Sequence, residues 1–291
     1  MLKAETMQTL HRYLVILLPC LLAGGAIAAG GGPRTNPAAF TAKQWEGLFT
    51  TVGAAPLGQR IAIWADLAAV DAVYAADPLG EGPGAVPDGD PLCDFGRVDC
   101  VTYVEQTLAL ALAKDQAGFA ETLRRIRYKD GAVDFRARNH FFVSDWLPAN
   151  AWCVRDVTAE VGGEAVKTME KTIARKAFFA GKGVNTDLPD EQAATPYIPR
   201  DAVGAAVQRM KEGDIAIFVI STPGIIAGHV GLLRVKNGVL QLQHAGSAEG
   251  RVVTAPLERY VRGLPPRFVG MKVARPGEPA PVQEGAPRGG P

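Results

Sequence analysis

Hydrophobic positions along the chain follow two different periods. Between residues 100 and 113, Val101, Val104, Leu108 and Leu112 recur at the spacing of one helix face. After Gly213 the runs shorten. DIAIFVI, HVGLLRV and VLQLQHA are β-rich segments separated by turn signals, which predicts a meander of antiparallel strands. Upstream, Thr41 and Gln44 form a capping-box pair ahead of WEGLFTTV, residues 59–75 continue in helix formers, and residues 117–127 make a further helix. Residues 77–94 form a loop rich in Gly, Pro and Asp. Residues 128–158 read as strand and loop, 159–180 as mainly helical, and 181–200 as loop. The sum is an α+β layout in which N-terminal helices precede an antiparallel sheet, with the helix that starts at Cys100 packed upon it.

The last two strands are joined by Asn237-Gly238, the residue pair that favours a two-residue type I′ hairpin. That turn sets a register with Lys236 opposite Val239, Val235 opposite Leu240, Leu233 opposite Leu242 and Gly231 opposite His244. Alternation then places His229, Gly231, Leu233 and Val235 on one face with Leu240, Leu242 and His244, and Arg234, Gln241 and Gln243 on the other. The face carrying both histidines is otherwise apolar and is expected to be the one that meets a helix. His229 and His244 become diagonal neighbours, roughly 7–8 Å apart at the backbone, with Gly231 offering no side chain between them.

Composition changes this picture at the ends of the chain. Residues 1–28 have the form of an export signal: Lys3 and Arg12 precede the apolar run YLVILLPCLLAGGAIA, which closes on the small-x-small pattern Ala26-Ile27-Ala28. The run is too short and glycine-rich for a membrane span, so the mature chain is expected to have none. Pro19 occupies the position where a bacterial lipobox has a small residue, so plain cleavage is preferred to lipid attachment at Cys20. The expected location is periplasmic or cell-envelope. Residues 29–40 read as a flexible leader, 41–274 as the folded domain, and 275–291 as a Pro- and Gly-rich disordered tail. A net charge of +1 offers no field that would recruit nucleic acid. The basic stretch LRRIRYK at 123–129 reads as a solvated helix face. A monomer is expected.

Removal of the signal leaves Cys93, Cys100 and Cys153 in an oxidising compartment, one more than a single bridge can use. Pairing Cys93 with Cys153 would leave Cys100 free; pairing Cys93 with Cys100 would remove it from chemistry. Cys100 falls at the first position of its helix with Asp99 as N-cap. Helix N-termini favour thiolate over thiol, a nearby imidazolium favours it further, and unpaired N–H groups there can hold an oxyanion. Cys100, His229 and His244 are therefore candidate nucleophile, base and orienting group.

The order Asp-Cys at a helix start, Gly-Asp-Ile, His-Val-Gly and then a second His resembles the papain-like cell-wall cysteine hydrolases of the NlpC type. More closely, DPLGEG, DCVTYVE, IRYKDG, RARNHFFVSDW, GDIAIF, GHVGLL and LQHAGS resemble the N-acetylmuramoyl-L-alanine amidase-like bacterial family over about residues 70–270. The resemblance implies a papain-like α+β fold, Cys100 as nucleophile, His229 as general base and acid, His244 as third member, and Asp99 as a holder of the substrate's free amine. It implies no cofactor and no metal. Val101-Thr102 stands where many NlpC-type enzymes have Ser-Gly, and Gly246 where a serine is common. His140 is a rival base, and Arg138, His140, Asp145 and Trp146 are expected to wall the cleft; alternatively Arg138 and Asp145 form a structural ion pair and Trp146 fills core. The expected function is that of an exported cysteine hydrolase cleaving an amide bond in peptidoglycan, at the sugar–peptide junction or within the stem peptide. The alternatives are a catalytically silent wall-binding module of the same fold and a zinc site built from Cys100, His229 and His244 with Cys93 or Cys153.

Overall fold

The computed structural model describes residues 35–280. Helix α1 (Ala42–Gly53) opens with the expected capping box, Thr41 accepting from the Gln44 N–H while Gln44 Oε1 accepts from the Thr41 N–H. Helix α2 (Leu57–Ala68) follows, and after the 77–94 loop come α3 (Cys100–Leu112) and α4 (Gln116–Arg127). Asp99 closes the start of α3 with a second capping box: its carboxylate accepts from the Thr102 N–H at 2.7 Å, and the Thr102 hydroxyl accepts from the Asp99 N–H at 2.9 Å.

The apolar stripe of α3 understates its burial. Every residue from Thr102 to Ala111 is buried, so the helix is enclosed rather than laid on a surface. Its polar side chains must then find partners inside the protein. Glu105 pairs with Arg127 at 3.2 Å and accepts from Trp146 Nε1 at 3.0 Å. Gln106 accepts from the Asp94 N–H and the Cys93 thiol, each at 3.0 Å, and Tyr103 donates to the Ala65 carbonyl at 2.9 Å.

The sheet has ten strands: β1 (Val73–Tyr74), β2 (Arg97–Val98), β3 (Val154–Asp156), β4 (Lys167–Ile173), β5 (Glu191–Pro199), β6 (Ile215–Ile220), β7 (Ala227–Lys236), β8 (Val239–Gly246), β9 (Arg251–Pro256) and β10 (Phe268–Pro276). Their order is β2-β1-β9-β8-β7-β6-β10-β5-β4, with β3 on β10. The fold is thus mixed α+β, a large sheet with helices. The Asn237-Gly238 hairpin takes the register read from its turn, Leu233 opposite Leu242 and Val235 opposite Leu240, and both turn residues have positive φ, 52° and 73°. Between β6 and β7 the pairing passes from Phe218↔His229 to Val219↔Ala227, so Gly228 is a bulged extra residue. Bulges re-aim the side chains beside them, and this one adjoins His229.

Several expectations are corrected. Helix α3 meets the face of Val230, Leu232 and Ala245, whereas the face of the histidines, Leu233 and Leu242 packs on the helix Leu257–Gly263. On the other face Arg234 and Gln243 are both buried, and Arg234 donates to Asp66 of α2 at 3.0 Å. A buried cation met by a carboxylate is satisfied, so a polar stripe here marked a helix contact. The region taken as helix includes β4, and the loop at 181–200 includes β5. They pair antiparallel over Lys167↔Tyr197 to Ile173↔Glu191; on this edge strand Lys167 and Glu170 are exposed, whereas Lys171 donates to backbone carbonyls of the 220–225 segment. Cys93, Cys100 and Cys153, the cysteines among the described residues, are free, so neither bridge is formed.

Residues 1–34, which include the expected export signal and the start of the expected leader, and residues 281–291 lie outside the described residues. Of the leader, Asn36 donates to the carbonyls of Val70 and Phe95, and Phe40 lies edge-on to Trp45 at 5.1 Å. Of the tail, Arg275 and Pro276 extend β10 against β3. Gly231 admits no side chain: a Cβ there would stand 2.9 Å from both His244 Cβ and the Gln243 carbonyl oxygen. Gly231→Ala is expected to destabilise the protein by about 1–3 kcal/mol through forced repacking, read as a lowered urea midpoint with unchanged slope.

Candidate active site

Cys100 takes its place from the capping box below it. With the Thr102 N–H given to Asp99 and the Tyr103 N–H to the Asp99 carbonyl, the helix ladder is engaged from the third residue onward. The N–H groups of Cys100 and Val101, together with Val230 N–H on β7, favour negative charge on the Cys100 sulfur. That sulfur is free, and Cys100 lines a cavity of about 230 Å³ with His229, Val230, His140, Phe141, Phe178, Ile173 and Ile226.

The two strand histidines meet as the hairpin register requires. His229 Nε2 and His244 Nδ1 share one hydrogen bond of 2.9 Å, and the rings stand edge to face at 4.7 Å. His229 lies over Phe218 at 5.9 Å, and His244 meets Tyr260 of the helix Leu257–Gly263 at 4.8 Å. With Nε2 engaged, Nδ1 is the His229 nitrogen without a protein partner among the described residues. No hydrogen bond joins Cys100 Sγ to either imidazole among the described residues; the two groups share the cavity wall.

Burial decides the charge state. It pushes the Cys100 thiol up to about 12, with the Asp99 carboxylate adding to the effect and the three N–H groups opposing it. It pushes His229 down to about 3, with His244 acting in the same direction. His244 is also lowered by burial, against the pull of the Glu249 carboxylate. The lowered thiol pKa expected from the helix terminus is therefore overturned: desolvation outweighs the terminus, and the resting pair is neutral thiol and neutral imidazole.

The expected cleft residues divide. His140 lines the Cys100 cavity, but its Nε2–H donates to the Phe135 carbonyl at 2.7 Å and its ring sits among Phe135, Phe178 and Phe179. Asp99 is held in the capping box, its carboxyl raised by burial and by the Asp77 charge. Arg138 pairs with Glu81, Asp88 and Asp77 of the 77–94 loop rather than with Asp145, which pairs with Arg175. Both Arg138 and Asp145 line a second cavity next to the first. Trp146 does not wall the cleft: it is fully buried, stacked on Phe142 at 4.3 Å and bonded to Glu105.

Three residues escaped sequence reasoning. Tyr260, whose phenol is raised by burial and by the Glu249 and Cys100 charges, comes from a short helix with no periodic signal. Glu249 folds over Gly246, where a Cβ would lie 2.1 Å from its Oε2; a serine there would displace the carboxylate that faces His244. Ser144 is carried on a π-helical turn, Phe142–Trp146, a rare geometry that recurs at functional sites. No three His, Cys, Asp or Glu side chains converge as a metal site would require among the described residues.

The family described as AmiA-like, N-acetylmuramoyl-L-alanine amidase-like, matches residues 68–269. Among solved structures, a protein from Legionella pneumophila shares 23% identity at TM-score 0.72, over 81% of this chain and 94% of its own. An N-acetylmuramoyl-L-alanine amidase from Bacteroides uniformis shares 24% identity at TM-score 0.63, over 76% and 99%. A Bacteroides fragilis protein provisionally described as a xylanase shares 27% identity at TM-score 0.59, over 72% and 98%. No curated protein matches the sequence.

Two measurements check the electrostatics. His140 is lowered from 6.5 to about 4 by burial, so between those values the unfolded chain binds more protons and stability falls as pH falls through that window. His140→Phe is expected to flatten the fall between pH 6.5 and 4, by on the order of 3 kcal/mol in unfolding free energy. Alkylation of Cys100 by iodoacetamide is expected to be slow at pH 7 and still rising at pH 10, where an unburied thiol has levelled off.

Proposed function

The chain belongs to the AmiA-like, N-acetylmuramoyl-L-alanine amidase-like family, and from that premise we propose that it is an exported cysteine hydrolase acting on peptidoglycan. The reaction is cleavage of an amide bond between an acyl group and a peptide amine. The observation that carries this reading is a free Cys100 at the start of an enclosed helix, sharing a cavity with His229, whose ring is held by His244. A nucleophile on a helix start, a base on a strand of an antiparallel sheet and a polar third group on the next strand also support placement among papain-like hydrolases of the NlpC type. Export rests on residues 1–28, whose charged start, apolar run and Ala-Ile-Ala close have the form of a cleaved signal.

Because both groups rest neutral, thiol deprotonation accompanies attack. His229 Nδ1 takes the Cys100 proton as the sulfur bonds to the substrate carbonyl carbon. The oxyanion that forms is held by backbone N–H groups at the start of α3. His229 then gives that proton to the departing amine, which breaks the C–N bond and leaves an acyl-enzyme. Water, deprotonated by His229, releases the acid and restores the thiol. Through its bond to Nε2, His244 holds the His229 ring in the orientation and tautomer this sequence needs, and Glu249 favours the charge that His244 shares while His229 is protonated.

A glycosidase reading, which the xylanase-like neighbour raises, needs paired carboxylates across the cleft. The wall of the Cys100 cavity contains no Asp or Glu.

Cys100→Ser and His229→Ala are each expected to lower release of fragments from purified sacculi by at least about 10³-fold with unchanged circular dichroism, and His244→Ala to lower it less. Mass spectrometry of the soluble products identifies the bond. Full activity in Cys100→Ser would remove the mechanism, and intact binding to sacculi without release would favour a silent wall-binding module.

A further inference from the structure

Beside the Cys100 cavity, on the other side of the π-helical turn, lies a second cavity of about 660 Å³. Its wall is basic. Arg138 and Arg175 in that wall are engaged by Glu81, Asp88, Asp145 and Glu191. Arg125, Lys129 and Arg136 have no carboxylate partner among the described residues, and against them stands Asp130, a lining carboxylate with no cation partner. The Arg125 guanidinium carbon lies over the Trp152 ring, 3.8 Å from its centroid, a contact that restricts where its donors can point.

The second observation is independent of charge. Trp152 Nε1 and Ser144 Oγ are buried polar atoms with no hydrogen-bond partner in the protein among the described residues, and both residues line this cavity. An indole N–H can only donate, so the group it lacks is an acceptor. Leaving such a donor buried and unpaired is costly, and sites that do so are commonly completed by a ligand. Ser144 belongs to the walls of both cavities, so an occupant of this one adjoins an acyl group at Cys100.

We propose that this basic cavity is a subsite for a carboxylate of the peptide portion of the substrate, held by Arg125 and by hydrogen bonds from Trp152 Nε1 and Ser144 Oγ. The proposal rests on the amidase reading above and extends it: the substrate is an acidic peptide derivative, positioned through its anionic end while the amide lies at Cys100. These are binding and positioning residues; none touches the reacting sulfur.

The test uses the full mature chain carrying Cys100→Ala, so that substrate binds without turnover. The probes are an N-acetylmuramoyl-L-alanyl peptide with free carboxylates and the same peptide with its carboxylates converted to carboxamides. Calorimetry is expected to give about tenfold tighter binding of the carboxylate form, as for one charge-assisted hydrogen bond with its ion pair. Adding Arg125→Met, an exposed position that leaves the core untouched, is expected to abolish that difference, and Trp152→Phe to reduce it. Equal affinity for the two peptides, a difference that survives both substitutions, or no binding of either would overturn the proposal. Hydrolysis by the wild-type chain reports separately on the parent reading: cleavage without discrimination sinks only the subsite, and discriminating binding without cleavage sinks only the hydrolase.

Discussion

A helix buried on all sides has to settle its open ends inside the protein, and α3 is such a helix. Its first N–H groups have two outlets. One is the Asp99–Thr102 capping box, which takes the Thr102 N–H; the other is the cavity, toward which the N–H groups of Cys100 and Val101 favour charge on the sulfur. The helix cannot slide or rotate to another arrangement, because Glu105, Gln106 and Tyr103 are each bonded to a different neighbouring segment. The position of the sulfur is thus a by-product of satisfying a buried polar backbone. The same enclosure that fixes it also strips it of water.

That loss of water sets the chemistry. Thiol and imidazole are displaced in opposite directions, each toward its uncharged form, so the unliganded site holds no ion pair. In the proposed mechanism nucleophilicity is therefore generated at the moment of attack, with the His229 imidazolium stabilised by His244 and, behind it, by Glu249. Burial also makes this cysteine less open to oxidation, because the thiolate is the form that oxidises.

The walls of the two cavities come from elements far apart in the chain, each pinned by a few polar contacts. Arg138 gathers Glu81, Asp88 and Asp77 and so holds the long loop that leads into α3. Lys171 on β4 donates to the carbonyls of Ile220, Thr222 and Ile225, which fixes the loop that presents Ile225 and Ile226 to the Cys100 cavity. Arg175 joins Asp145 at the π-helical turn to Glu191 on β5. Lys171 thus satisfies carbonyls that irregular backbone leaves without a ladder, whereas Arg138 and Arg175 cross-link carboxylates from separate positions.

What the sequence by itself determined was local or set by a single turn. The capping boxes at Thr41 and Asp99 are three-residue patterns, and the Asn237-Gly238 turn propagates a register that brings His229 and His244 together without reference to the rest of the fold. The approach of His229 to Cys100 was not local: residues more than a hundred positions apart line one cavity through the bulge at Gly228 and the seating of α3 on the sheet. For the same reason the face of β7 that meets α3 was misread, since the pairing of Arg234 with Asp66 depends on where α2 packs. Strands β4 and β5 were invisible because a charged edge strand such as β4 and a Pro-containing strand such as β5 share their composition with helices and loops, and only partners across the ladder distinguish them. Charge state was decided last of all: a thiol at a helix start is pulled toward thiolate by its own backbone and toward thiol by burial, and only the tertiary structure says how much water is left to favour the first.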